Sequence, residues 1–88
     1  MTSQNTDALL AERGKTHGDF ADHAAVTQSL KALMASWPTY NNLSDIQKES
    51  LEMIVHKIGR ILAGNPNHHD HWFDISGYAM LVADRLPK

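Results

Sequence analysis

The apolar positions of this chain fall into long stretches that repeat every three or four residues, the spacing of one side of an α-helix. Phe20, Ala24, Thr27, Leu30, Met34 and Trp37 form the first, which starts after Asp19, a good N-cap, and stops at Pro38. Leu51, Ile54, Val55, Ile58, Ile61 and Leu62 form the second. It follows Ser44 and Gln47, the two halves of a capping box, and runs to about Ala63, where Gly64 and Pro66 end it. Trp72, Ile75, Ala79, Val82 and Leu86 form the third, with Asp70 as its cap. A short helix from about Asp7 to Arg13 precedes them, capped by Thr6 and ended by Gly14, and residues 1–6 read as a loose polar lead. No segment alternates with strand period. The pattern predicts an all-α fold, a small helical bundle of three main helices plus a short N-terminal helix, in one domain over residues 1–88. The link "GNPNHHD" is short, so helices three and four are expected as an antiparallel hairpin.

Composition narrows the function. Eighty-eight residues allow one small core but no deep private cleft, so self-association is the default expectation. A formal charge of -2 gives no footprint for nonspecific binding to nucleic-acid phosphates. Without cysteine there is no disulfide frame and no thiolate zinc site. No apolar run approaches the roughly 20 residues of a membrane span, and the first residues lack the pattern of a secretory signal. The expected setting is cytoplasmic, with no membrane and no nucleic-acid partner.

"ERGKTHGDF", residues 12–20, contains the GKT that closes a P-loop, but the glycine required five positions before Gly14 is Leu9, and the preceding residues read as helix. A weaker anion site survives that failure. Arg13 and Lys15, with the N–H groups at the start of helix two, are candidates to receive an anion, although Asp19 competes for the same donors.

Helix three carries Glu49, Glu52, His56 and Arg60 in steps of three and four, with Lys57 beside them; helix four carries Asp70, Asp74 and Tyr78 likewise. In a hairpin, His56 and Lys57 would face Asp74 and Tyr78. Carboxylates drawn from two helices are how bundles hold hard cations such as Mg²⁺, so Glu49, Glu52, Asp70 and Asp74 are the candidate metal ligands. The same residues also read as solvated i,i+4 pairs (Lys48 with Glu52, Glu52 with His56), a helix cap (Asp70) and an ion pair tying the hairpin (Lys57 with Asp74). Arg60 is the better phosphate ligand because its planar fork holds two oxygens at once. His68, His69 and His71 in "NHHDH" lack the spacing that puts two imidazoles on one helical side and read as a titrating surface loop. Trp37 and Trp72 read as packing or interface anchors.

"ERGKTHGDF", "LEMIVHKIGRILAGNP" and "DHWFDISGYAMLVADRL" together resemble a family of small phage and prophage proteins that share ERGKTYGDF-like and KIxRILxGNP…DxWxDIxGYAxL-like segments, over nearly the whole chain. That family is remotely similar to MazG-type enzymes, all-α, Mg²⁺-dependent pyrophosphohydrolases that cut nucleoside triphosphates and work as oligomers. The resemblance implies a Mg²⁺ site at Glu49, Glu52, Asp70 and Asp74, with Glu52 and Asp74 catalytic and Lys57 and Arg60 toward phosphate. The chain departs from the MazG pattern: E-x-x-E is present at Glu49 and Glu52, but Asp70 and Asp74 are four apart where E-x-x-D is usual, and His17 stands where tyrosine is common. Two functions are therefore expected: a phage-derived enzyme that binds or hydrolyses nucleotides, or a non-catalytic oligomer that sequesters a nucleotide-type ligand or inhibits a host protein.

Overall fold

Caps set the starts of the two best-defined helices. The computed structural model describes residues 2–88, with side chains from Thr6 onward. Of residues 1–6, expected as a loose polar lead, Met1 lies outside the described residues and the other five are helical. Asp19 caps helix α2 (Phe20–Ala35): its carboxylate accepts from the N–H groups of Ala21 and Asp22 at 3.0 and 3.2 Å. Ser44 opens α3 (Asp45–Ala63) with the expected reciprocal box, Ser44 Oγ accepting from Gln47 N at 3.1 Å and Gln47 Oε1 accepting from Ser44 N at 2.9 Å. Between them, "PTYNN" winds as a 3₁₀ helix over Pro38–Asn42.

The other boundaries move. Helix α1 runs Thr2–His17, straight through Gly14 and with Thr6 inside it. The stop is Gly18, at φ +83°, a left-handed conformation that favours glycine. Space enforces the choice as well, because a Cβ on Gly18 would stand 2.0 Å from the Ala63 carbonyl oxygen. Gly14 meets nothing within 4 Å and has no reason to end a helix. Helix α4 spans His69–Ala83, with His68 rather than Asp70 as its N-cap and no side-chain cap bond. Asp70 sits in the first turn, where a carboxylate is favoured by the helix dipole. The chain turns off at Asp84 instead of continuing to Leu86.

Helix α3 is central, packed between α2 and α4, and α1 rests against its C-terminal end. Lys31 meets His56 while His23 meets Gly59, so α2 and α3 are antiparallel. Ser50 meets Tyr78 while Lys57 meets Asp74, which makes α3 and α4 the antiparallel hairpin expected from the short link. Among the described residues no helix is long and apolar enough to cross a membrane.

Among the described residues most of the buried side chains are polar, and most of the apolar ones between the helices are half-buried. Val55 is the one fully buried hydrophobic residue among those described, whereas Thr27, Ser50, Lys57 and His71 are all buried. Of the stripes read as core, Phe20, Trp37, Leu62 and Trp72 are exposed. On α4, His71 and Asp74 find side-chain partners in the clasp and the seam, the Tyr78 carbonyl accepts from Ser50 Oγ at 2.7 Å, and Trp72 is exposed.

Candidate functional site: a basic groove between α1, α2 and α3

Gly18 and Gly64 bring two chain reversals into backbone contact. A Cβ on Gly64 would meet the His17 carbonyl carbon at 2.5 Å and Gly18 N at 2.6 Å, so only two glycines allow this approach. The Thr16 carbonyl, one of the unpaired carbonyls at the end of α1, accepts from Asn65 N at 3.0 Å and from His71 Nε2 at 2.8 Å. The GKTHG segment that imitates a phosphate loop is thus a clasp holding α1 to the α3–α4 link. His71, read as a surface residue, is the most buried side chain described, 2% exposed, with its ring edge-on to His17 and His68.

The clasp aims α1 so that Arg13 and His17 face α2 and α3 across a groove of about 730 Å³. Phe20, His23, Thr27, His56 and Arg60 form the other walls. His23 reaches it because Gly59 on α3 lets α2 approach: a Cβ there would meet Thr27 Cγ2 at 2.7 Å and His23 Nδ1 at 2.8 Å. The His23 ring stacks on Phe20 with centroids 6.4 Å apart and lies 5.7 Å from the His56 ring. His23 Nδ1 is buried with no partner of hydrogen-bond geometry.

Positive charge accumulates here and depresses its own ionisation. His17 is pushed down to about 4, by burial first and then by the Arg60 and Arg13 guanidiniums. His23 is lowered by burial, then by His56 and Arg60, with the Gly59 backbone pulling weakly the other way. His56 is lowered by burial, then by Lys31 and Arg60; Lys31 Nζ stands 3.0 Å from His56 Nε2, an arrangement in which the ammonium donates to an unprotonated ring nitrogen. Arg60 is itself lowered by burial and by Arg13. Neither Arg13 nor Arg60 has an ion-pair partner among the described residues. The groove thus gathers two guanidiniums with no ion-pair partner among the described residues and three imidazoles held neutral.

The remaining candidates scatter. Lys57 and Asp74 form an ion pair at 2.9 Å in the α3–α4 seam, away from the groove lining. His56, expected to face Asp74, faces α2 instead. Glu52 accepts from the Tyr40 hydroxyl at 3.2 Å on the α2 flank of α3, opposite the flank that carries Lys57 and Asp74. Glu49 lines a separate apolar hollow with Ile46, Tyr78 and Leu81, and Asp70 is exposed beside His69. Lys15 extends into solvent near Glu12. Among the described residues no three His, Asp or Glu side chains are placed to hold a metal ion. The N–H groups of Ala21 and Asp22 at the start of α2 are taken by Asp19, so the helix terminus does not offer the donors expected of it.

A family described as a domain of unknown function, DUF6378, matches residues 2–86. The chain belongs to that family. No curated protein and no solved structure matches it.

Sequence reasoning placed Arg13 and Arg60 among the phosphate candidates but missed His23 and the joint role of His17 and His56. Gly59 was the available signal: a glycine inside a strong helix pattern marks a close approach, and His23 and Thr27, one turn apart, are what approaches.

Proposed function

We propose that this protein binds a phosphate-bearing, nucleotide-type ligand in the groove between α1, α2 and α3. The single observation that carries this is the convergence of Arg13 and Arg60, unpaired, on one groove with three imidazoles. Arg60 presents a planar fork to phosphate oxygens, and Arg13 meets the same charge from α1. The groove volume of about 730 Å³ suits a nucleotide, and Phe20 and Leu10 give it an apolar rim. The resemblance of the motifs to small phage proteins that are remotely MazG-like points to the same ligand class.

Binding without turnover is the form of this reading that the residues favour. Glu49, Glu52, Asp70 and Asp74 do not fit Mg²⁺ within one protomer, since Glu52 and Asp74 lie on opposite flanks of α3 and Glu49 and Asp70 are elsewhere. The test is a thermal-shift and calorimetric panel of nucleoside mono-, di- and triphosphates and tripolyphosphate, without added metal. A ligand that binds the folded state raises Tm. Wild-type protein is expected to gain several degrees with at least one polyphosphate, and Arg60→Gln is expected to lose that gain while keeping its own Tm. A blank panel for the wild type overturns the reading and moves attention to a host protein as target.

A further inference from the structure

We infer that the side of the α2–α3–α4 layer opposite the groove is a homodimer interface, and that a second copy of this chain covers it. This goes beyond the ligand reading and does not depend on it.

Helical geometry separates the two sides of the layer. Around α3, Lys57 faces α4 and Gly59 faces α2. Stepping about 3.6 residues per turn, His56 and Arg60 fall on the groove side between those directions, and Leu51 and Leu62 fall on the opposite side. The same construction on α2, with Thr27 facing α3 and Gln28 lining the groove, turns Leu33 to that opposite side. On α4, Leu81 and Arg85 share a hollow with Glu49 on the groove side, which leaves Trp72 and Ala79 on the other. Three helices therefore turn exposed apolar residues to one side, with Leu33 59%, Leu62 66% and Trp72 55% exposed. Of the charged residues of α3, Lys48 alone borders it, at the N-terminal end and over the Tyr40 ring.

The surface area says how large a cover is needed. The chain exposes 6447 Å². A compact 9.8 kDa monomer exposes about 5,200 Å², an excess here of roughly 1,200 Å² per protomer. Two copies sharing that excess would bury at most about 2,400 Å², within the range of obligate homodimers. The elongated α1 adds some area, but the deficit of buried hydrophobics lies in α2–α4, where Val55 alone is fully buried among the described residues. A layer with one uncovered apolar side satisfies the two-layer requirement of a domain only when a second layer stacks on it. A second copy supplies a matching layer, and a side whose centre is apolar, with Asp22 and Lys48 only toward its edges, is self-complementary about a twofold axis.

Light scattering after size exclusion, at micromolar protein, tests this. The wild type is expected at twice 9.8 kDa, with a Tm that rises with protein concentration. Leu62→Glu is expected to give a folded monomer or to unfold. Phe73→Glu, on the outer side of α4 and 63% exposed, is expected to remain dimeric. A wild type at 9.8 kDa with a concentration-independent Tm overturns the proposal. So does a Leu62→Glu protein that stays dimeric while Phe73→Glu becomes monomeric.

Discussion

Lys57 Nζ lies 2.9 Å from Asp74 Oδ2, with the lysine side chain 8% exposed and the aspartate 42%. The pair is lopsided. Removing the carboxylate strands a buried ammonium, whereas removing the ammonium leaves a carboxylate that still reaches water. Asp74→Ala is therefore expected to lower the urea midpoint more than Lys57→Met, although both delete the same bond. Equal losses would show that the ammonium is not confined in the seam.

Lys57, ahead of the milder attractions of Arg60 and His71, holds the Asp74 carboxyl below the usual carboxylate range. Its contribution is present above the ordinary aspartate value and is lost as pH falls through the depressed one. The histidines act at higher pH. His17 at about 4, with His23 and His56 also lowered, stay neutral in the fold where the unfolded chain takes up protons below about 6.5. Stability is expected to decline as pH drops from 7 toward 4, and His17→Gln should flatten that slope. A polyphosphate in the groove favours the charged imidazoles, so its affinity should rise over the same interval. Calorimetry in buffers of different ionisation enthalpy would register the accompanying proton uptake.

His71 is enclosed and donates from Nε2 to the Thr16 carbonyl at 2.8 Å. Replacing it by alanine opens a cavity and frees a buried acceptor. The expected loss is about 2–3 kcal/mol by denaturant titration. His69→Ala, on an exposed neighbour, should change stability by less than about 0.5 kcal/mol.

The glycines of "GKTHG" should respond with opposite signs. Gly14 lies inside an exposed helix with open space around it, so Gly14→Ala is expected to stabilise by about 0.5–1 kcal/mol. Gly18→Ala meets a left-handed backbone and the Ala63 carbonyl together, and should cost at least about 2 kcal/mol. Thermal melts of the two single variants suffice.

These residues also show where sequence reading succeeds. Asp19, Ser44 and Gln47 act through neighbours two or three positions away, so their caps and the helices they open were legible. Gly14 and Gly18 look alike in sequence. Only the packing of Gly18 on Ala63 and Gly64 decides which one ends the helix. The α4 stripe was misjudged for a related reason: hydrophobic periodicity assumes an apolar interior, while this seam is organised by Ser50, Lys57, Asp74 and Tyr78 and leaves Trp72 outside. For the groove, Arg13 and Arg60 could be nominated as cations, but their convergence depends on the clasp that aims α1.

The Thr16 carbonyl draws one of its two donors from a histidine 55 residues further along the chain. Such a long loop closes at high entropic cost, whereas the hairpin of α3 and α4 forms from nearby partners. Docking of the first helix is thus expected late on the folding route. Gly18→Ala and His71→Ala should accelerate unfolding in stopped-flow chevrons and leave the refolding limb almost unmoved. The wall carrying Arg13 would then be the last part of the molecule to be assembled and the first to be released.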